Sequence, residues 1–241
     1  MTRFYSDEIP KIFDAGSRVR VGRQIVSVLK VHLGSLKKLT CLDIGCSSGI
    51  ISNLLSKEFL KVTAIDVDRK ALILATKKFK SSKIKFMNVD GSETGFRSNS
   101  FDVIVANQVY EFVKDDKKLI LEIWRLLKPG GICFFGARNK YAIIEAQYNL
   151  PFLSWMPKSV ANFFVRLFYP GKHFVGNYRS YLGLKDLVKK FKIHDYTTRI
   201  LLDPVRYHYK KLAKFKWIFR FLPLEYLSPL IPNYIWILEK I

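Results

Sequence analysis

The chain has 241 residues, and its 41 Lys and Arg against 20 Asp and Glu leave a formal charge of +21. Hydrophobic residues make up 49% and aromatics 15%, enough apolar mass for a packed core, so the charge surplus does not mark a disordered basic tail. No window reaches the roughly 18–20 uninterrupted apolar residues that cross a bilayer, and Cys41, Cys46 and Cys133 are too scattered for a disulfide framework or a C-x-x-C metal pair.

Cysteine usage of this kind, with no apolar leader segment in Met1–Lys11, points to an intracellular, cytoplasmic chain. A helical pattern over Ser17–Leu33 is followed by short apolar runs at Leu39–Ile44, Val62–Ile65, Ile84–Val89, Phe101–Ala106 and Ile132–Phe135. Helix-length amphipathic stretches separate them at Ile50–Glu58, Arg69–Phe79 and Asp116–Leu127, the last closed by Lys128-Pro129-Gly130-Gly131. Strands spaced by one helix each imply right-handed crossovers and a parallel sheet buried on both faces, a doubly wound α/β domain. Beyond Arg138 the rhythm breaks. Residues 141–181 carry Pro151, Pro157, Pro170, Gly171 and Gly176 among many aromatics, which predicts an irregular or helical insertion. A helix over Leu184–Phe191 and strands over Lys192–Leu201 and Tyr234–Glu239 complete the expected elements. One domain is expected over 1–241: an N-terminal helical segment (1–38), a core (39–137), an insertion (138–182) and a basic aromatic insertion (202–232).

The turn after the first strand reads Leu42-Asp43-Ile44-Gly45-Cys46-Ser47-Ser48-Gly49. Its glycines allow the backbone to approach a ligand closely at the carboxyl edge of the sheet, although such a turn can equally serve helix packing alone. Asp66 ends the second strand 21 residues after Gly45, the offset at which nucleotide-binding α/β folds set a carboxylate against ribose hydroxyls. Asp68 is better placed than Asp66 to cap the next helix. A dinucleotide fingerprint starting at Gly45 would need glycines where Ser47 and Ile50 stand.

Taken in order, Asp43–Gly49, the acidic Asp66, Asn88-Val89-Asp90-Gly91, Phe101–Asn107 and Arg125–Gly131 resemble the motifs of class I S-adenosylmethionine-dependent methyltransferases, over about Thr40–Ala137. The resemblance implies a seven-stranded Rossmann-like sheet with a C-terminal antiparallel hairpin, and S-adenosyl-L-methionine as cofactor. It implies that Gly45, Cys46 and Gly49 face the methionine moiety, that Asp43 organises the loop, and that Asp66 with Val67 beside it holds the ribose. Asp90 and Gly91 would meet the adenine, and Asn107 would lie near the sulfonium. Ser47 replaces the family's usual middle glycine. Phe112 stands where many small-molecule members carry a histidine, so no base is assigned there.

Methyl transfer to a sugar hydroxyl requires a general base, and the candidates are His173 in the insertion, Tyr110 and Glu111, with Arg179 a further pocket residue. His32 and His194 fall in regular elements, where structural roles are expected. The fourth strand continues Asn107-Gln108-Val109 and lacks the Asn/Asp-Pro-Pro-Tyr/Phe box of amino methyltransferases of bases. Residues 138–241 hold 18 Lys and Arg against 6 Asp and Glu, so acid depletion is strongest on the expected acceptor side. Lys210–Leu222 reads as a basic amphipathic helix that could lie on a membrane or pack on the sheet. Asn139-Lys140-Tyr141, Pro151–Pro157 and Tyr178–Tyr181 resemble methyltransferases of glycan or lipid-linked sugar assembly. The leading expectation is O-methylation of a sugar, lipid-linked or other small-molecule acceptor by a protein peripheral to an anionic membrane. RNA methylation, since basic surfaces bind phosphate backbones, and a non-catalytic cofactor-binding partner protein are the alternatives.

Overall fold

The computed structural model describes residues 14–145, 147–209, 213, 214, 217, 219 and 227–241. In chain order it forms α1 (Ala15–Leu33), β1 (Thr40–Ile44), α2 (Ile50–Ser56), β2 (Lys61–Asp66), α3 (Arg69–Lys78), β3 (Ile84–Asn88), β4 (Phe101–Asn107), α4 (Asp116–Leu126), β5 (Leu127–Arg138), α5 (Lys158–Phe168), α6 (Tyr181–Leu187), β6 (Lys192–Asp195), α7 (Thr197–Leu202) and β7 (Asn233–Glu239). The strands make one sheet in the order β3-β2-β1-β4-β5-β7-β6. The first five are parallel, and β7 runs antiparallel to both β5 and β6. This is the seven-stranded methyltransferase-type sheet expected from the motifs.

Alternate residues of each central strand feed two separate cores. Leu42, Ile104, Cys133 and Leu238 pack with Leu119, Ile123 and Leu184 on one face. Their neighbours Cys41, Val103, Ile132 and Ile237 pack with Ile25, Leu29, Leu55 and Ile200 on the other. Both faces are covered by helices, which is why these strands read as unbroken apolar runs rather than alternating ones. Three helices, α1, α3 and α4, start at acidic caps: Asp14, Asp68 and Asp115 accept from Gly16, Ala71 and Lys118 backbone N–H groups at 3.2, 3.1 and 3.0 Å.

Three elements differ from the sequence reading by more than two residues at an end. The strand expected over Lys192–Leu201 ends at Asp195, because the Asp195 carboxylate accepts the Thr197 N–H at 2.7 Å and turns the chain into α7. The helix expected over Leu184–Phe191 runs from Tyr181 to Leu187, begun by Ser180, whose hydroxyl accepts from Gly183 N–H at 3.2 Å. The Lys128–Gly131 segment is taken into the start of β5, where the register to β4 shifts between the Phe101 and Val103 pairs. The insertion holds α5 and a separate small core of Tyr148, Leu153, Ala161, Val165 and Phe174. The basic helix expected over Lys210–Leu222 lies, but for a few positions, outside the described residues.

Asn139, at the end of β5, secures the chain closure. It is buried, and its Nδ2 faces the Pro229 and Ile231 carbonyls and the Tyr234 hydroxyl at 2.7, 3.0 and 2.9 Å. Asn139→Ala leaves buried acceptors without a donor and is expected to cost about 2 kcal/mol, read as a thermal midpoint lowered by roughly 4–8 °C; an unchanged midpoint would contradict this role.

Candidate active site

A cavity of about 580 Å³ opens at the carboxyl ends of β1, β2 and β4, the edge at which open α/β sheets bind ligands. One part is walled by Gly45, Ser47, Asp66, Val67, Asp90 and Gly91, and Arg18 and Ser17 of α1 close over it. The other part is walled by Asn107, Gln108, Val109, Phe112, Arg138 and Gln147.

The first part is shaped by what its loop lacks. Gly45 has φ +74°, and a Cβ there would lie 2.8 Å from Val109 Cγ2; Gly49 has φ +72°, and a Cβ would lie 2.9 Å from Ala75 Cβ and Phe86 Cζ. Both positions therefore need glycine for conformation and for space. Ser47, with φ +47°, carries left-handed backbone on a non-glycine residue, and its buried Oγ has no hydrogen-bond partner. Asp66 holds this loop: its Oδ2 accepts the Ser47 N–H at 2.7 Å and its Oδ1 the Asp68 N–H at 2.8 Å. Burial raises the Asp66 carboxyl above its ordinary pKa, while those two N–H groups oppose the rise. Asp43 lies beneath the loop, buried, and accepts the Ser52 hydroxyl at 2.6 Å. Its desolvation pushes the carboxyl up to about 7 despite that bond. Asp90 turns its own loop by accepting the Ser92 N–H at 2.7 Å.

These residues fit S-adenosylmethionine. A carboxylate at Asp66 suits ribose hydroxyls, the surface of Val67, Val89 and Gly91 suits a flat base, and the Arg18 guanidinium suits an amino acid carboxylate. The unpartnered Ser47 Oγ is a polar group waiting for a ligand. Cys46 and Gly49, expected to face the methionine moiety, do not line the cavity: the Cys46 side chain packs with Ala64 and Leu72, and Gly49 caps α2.

The structure places the three catalytic candidates away from the cavity wall. Tyr110 is fully buried; its hydroxyl donates to the Arg138 carbonyl at 2.5 Å and accepts from Arg179 N–H at 3.2 Å, so it braces β5 instead of reaching the cavity. His173 is not among the cavity-lining residues, and its carbonyl accepts the Tyr148 hydroxyl inside the insertion core. Glu111 is fully buried outside the cavity wall, neither carboxylate oxygen has a hydrogen-bond partner, and burial pushes it up to about 7, with Arg138 opposing the rise. Arg179 pairs with Asp116, its Nη2 at 2.7 Å from Oδ1, and is likewise absent from the wall. In their place stand Arg138, Gln108 and Gln147, which sequence reasoning missed. Arg138 donates from Nη2 to Gln108 Oε1 at 3.0 Å, its Nη1 lies 3.7 Å from Glu145 Oε1, and its Nε and Nη1 are buried without a hydrogen-bond partner. The Gln147 amide is also buried and unpartnered. The only signal was position: Arg138 follows the fifth strand directly, where the chain passes the cavity.

Asp43 and Glu111 bind protons more tightly folded than unfolded, so their contribution to stability falls as pH rises from about 4 to about 7. Neutral Asp43→Asn and Glu111→Gln variants escape that loss, which amounts to about 1.4 kcal/mol for each pH step of one across the range. The thermal midpoint of each variant relative to wild type should rise between about pH 5 and about pH 8; a relative midpoint that falls over this range would contradict the burial assignment.

Residues 42–135 match the family model described as "Methyltransferase domain". Among curated proteins, the chain is similar to a ubiquinone biosynthesis O-methyltransferase of Rickettsia canadensis (strain McKiel), 30% identical over 146 residues, covering 58% of this chain and 61% of that protein. The counterpart in Pelagibacter ubique (strain HTCC1062) is 33% identical over 129 residues, covering 51% and 52%. The chain thus spans between half and two thirds of the curated relatives it matches. A solved S-adenosylmethionine-dependent methyltransferase of Mesorhizobium loti superposes with a TM-score of 0.61 at 16% identity, covering 91% of this chain and 99% of that one. A phosphoethanolamine-type N-methyltransferase of Haemonchus contortus, solved with S-adenosylhomocysteine, superposes at 0.54 with 20% identity over 90% of this chain and 52% of that one. Domain match, strand order and cavity agree: residues 42–135 carry a methyltransferase domain on a methyltransferase-type sheet.

Proposed function

We propose that this protein methylates a hydroxyl of a small, lipid-linked acceptor at a membrane surface, with a phenolic hydroxyl preferred over a sugar one. The observation that carries the reading is Arg138, a guanidinium in the cavity wall with two buried nitrogens lacking partners. The names of the curated relatives, ubiquinone biosynthesis O-methyltransferases, support a small-molecule hydroxyl as the acceptor.

When bound, S-adenosylmethionine supplies an electrophilic methyl group on a sulfonium. The chain's own task is to place an acceptor oxygen in line with that methyl and to favour its ionised form. No histidine lines the cavity among the described residues, and Phe112 is apolar wall. A sugar hydroxyl would have to draw its base from the wall's carboxylates, Asp66, Asp68, Asp90, Glu93 and Asp115. A phenol, which ionises near pH 10, needs only electrostatic help, and a fixed guanidinium donating from Nε and Nη1 stabilises the oxyanion while the proton leaves to solvent. Gln108 and Glu145 hold the guanidinium, and Gln147 offers a second polar contact.

Radiolabelled methyl transfer into cell extract, fractionated into lipid, glycan and RNA, should label the lipid fraction; label in RNA alone would favour the nucleic-acid reading, and no label in any fraction a non-catalytic role. Arg138→Gln should lower kcat on a catechol acceptor by about a hundredfold and move the pH-rate profile to higher pH, while S-adenosylhomocysteine still binds. Asp66→Ala should abolish that binding by calorimetry. Unchanged kcat in the first variant, or unchanged affinity in the second, would sink the assigned role.

A further inference from the structure

Helix α5 is apolar on two opposite sides. Ala161 and Val165 are buried in the insertion core, whereas Val160, Phe163 and Leu167 project on the far side. Phe163 is 64% and Leu167 61% exposed, and Phe168 at the end of the helix and Phe152 and Trp155 just before it are also exposed. A helix with apolar residues on both sides requires a second apolar neighbour, and scattered single exposures do not explain a run of this kind.

Charge decides what that neighbour is. Between Glu145, which is buried, and Asp186 the chain contains no acidic residue, while exposed Arg166 borders the apolar stripe and exposed Lys158 stands at the start of the helix. A second copy of the chain meeting this face through a two-fold axis would bring the same cations together. An anionic bilayer answers both features, taking up the aromatic and aliphatic side chains at the level of the acyl chains and pairing the rim cations with lipid phosphates.

We propose that α5, with Phe163 and Leu167 at its centre, is the element by which this protein lies on anionic membranes. The placement serves the cavity. The insertion that carries α5 also supplies Gln147 to the cavity wall, the Asn177 N–H donates to the Glu111 carbonyl at 2.8 Å, and the Tyr178 hydroxyl donates to Glu145 at 2.7 Å. A surface-bound α5 thereby ties the bilayer contact to the same insertion that lines the acceptor side of the cavity. This rests on the reading of a lipid-linked acceptor for its purpose, and its test is independent of catalysis.

The test is flotation of the full chain with phosphatidylcholine vesicles, with and without phosphatidylglycerol, at low and high salt. Wild type should float with the anionic vesicles at low salt, and F163E/L167E should bind them about tenfold more weakly while keeping wild-type affinity for S-adenosylhomocysteine. Should that pair fail to fold, F163S/L167S serves with the same expectation. Three results would overturn the proposal: wild type that stays unbound at low salt, variants that float as well as wild type, and a wild-type dimer in light scattering that F163E/L167E dissociates. Loss of flotation with methyl transfer intact would leave the catalytic reading standing, and flotation without methyl transfer would do the reverse.

Discussion

The Asp66 carboxylate ties two loops into one surface. One oxygen receives the Ser47 N–H from the loop after β1, the other receives the Asp68 N–H from the loop after β2, and the group still borders the cavity with lone pairs to spare. Without that bridge, the left-handed turn through Gly45 and Ser47 would have no fixed partner on its ligand side, and α1, which brings Arg18 over the opening, would close on an unformed wall. The buried Asp43 supports the same turn from beneath by holding Ser52 of α2. Two carboxylates at adjacent strand ends thus position the loop, and both carry the strain of desolvation as raised proton affinity.

The second half of the cavity is built by a different device. Arg138 is fixed from three directions: Tyr110 holds its carbonyl, Gln108 one end of its guanidinium, and Glu145 lies near the other. The neighbouring Asn139 fastens the same strand end to the segment before β7. The end of β5 therefore closes the sheet and presents a cation to the cavity with little freedom to move, which is the preorganisation that an electrostatic role demands. Tyr110 and Glu111, which follow the fourth strand directly in sequence, contribute through this support and through burial.

Much of the cofactor side was legible because its constraints are local. Glycines at a strand tip, an acid one strand later and an Asp-Gly turn after the third strand each act within a few residues of where they are read, and the alternation of strands and helices showed the doubly wound parallel sheet around them. Even there, backbone and side chain part company: Cys46 follows the loop, yet its thiol packs inward with Ala64 and Leu72. The acceptor side was not legible because it is made of long-range contacts. Gln108 meets Arg138 across 30 residues, Tyr178 reaches Glu145 only after the chain has looped through α5, and nothing in the spacing of His173 showed that it would stand away from the cavity wall. The strand expected through Leu201 failed for a local reason, the turn that the Asp195 carboxylate makes by accepting the Thr197 N–H.

A crystal structure of the chain with S-adenosylhomocysteine tests the division of the cavity most directly. The ribose should lie on Asp66, the adenine against Val67 and Gly91 and the amino acid end under Arg18, leaving the thioether pointing at an open space walled by Asn107, Arg138 and Gln147. A ligand bound with its amino acid carboxylate on Arg138, or bound outside this cavity, would contradict it.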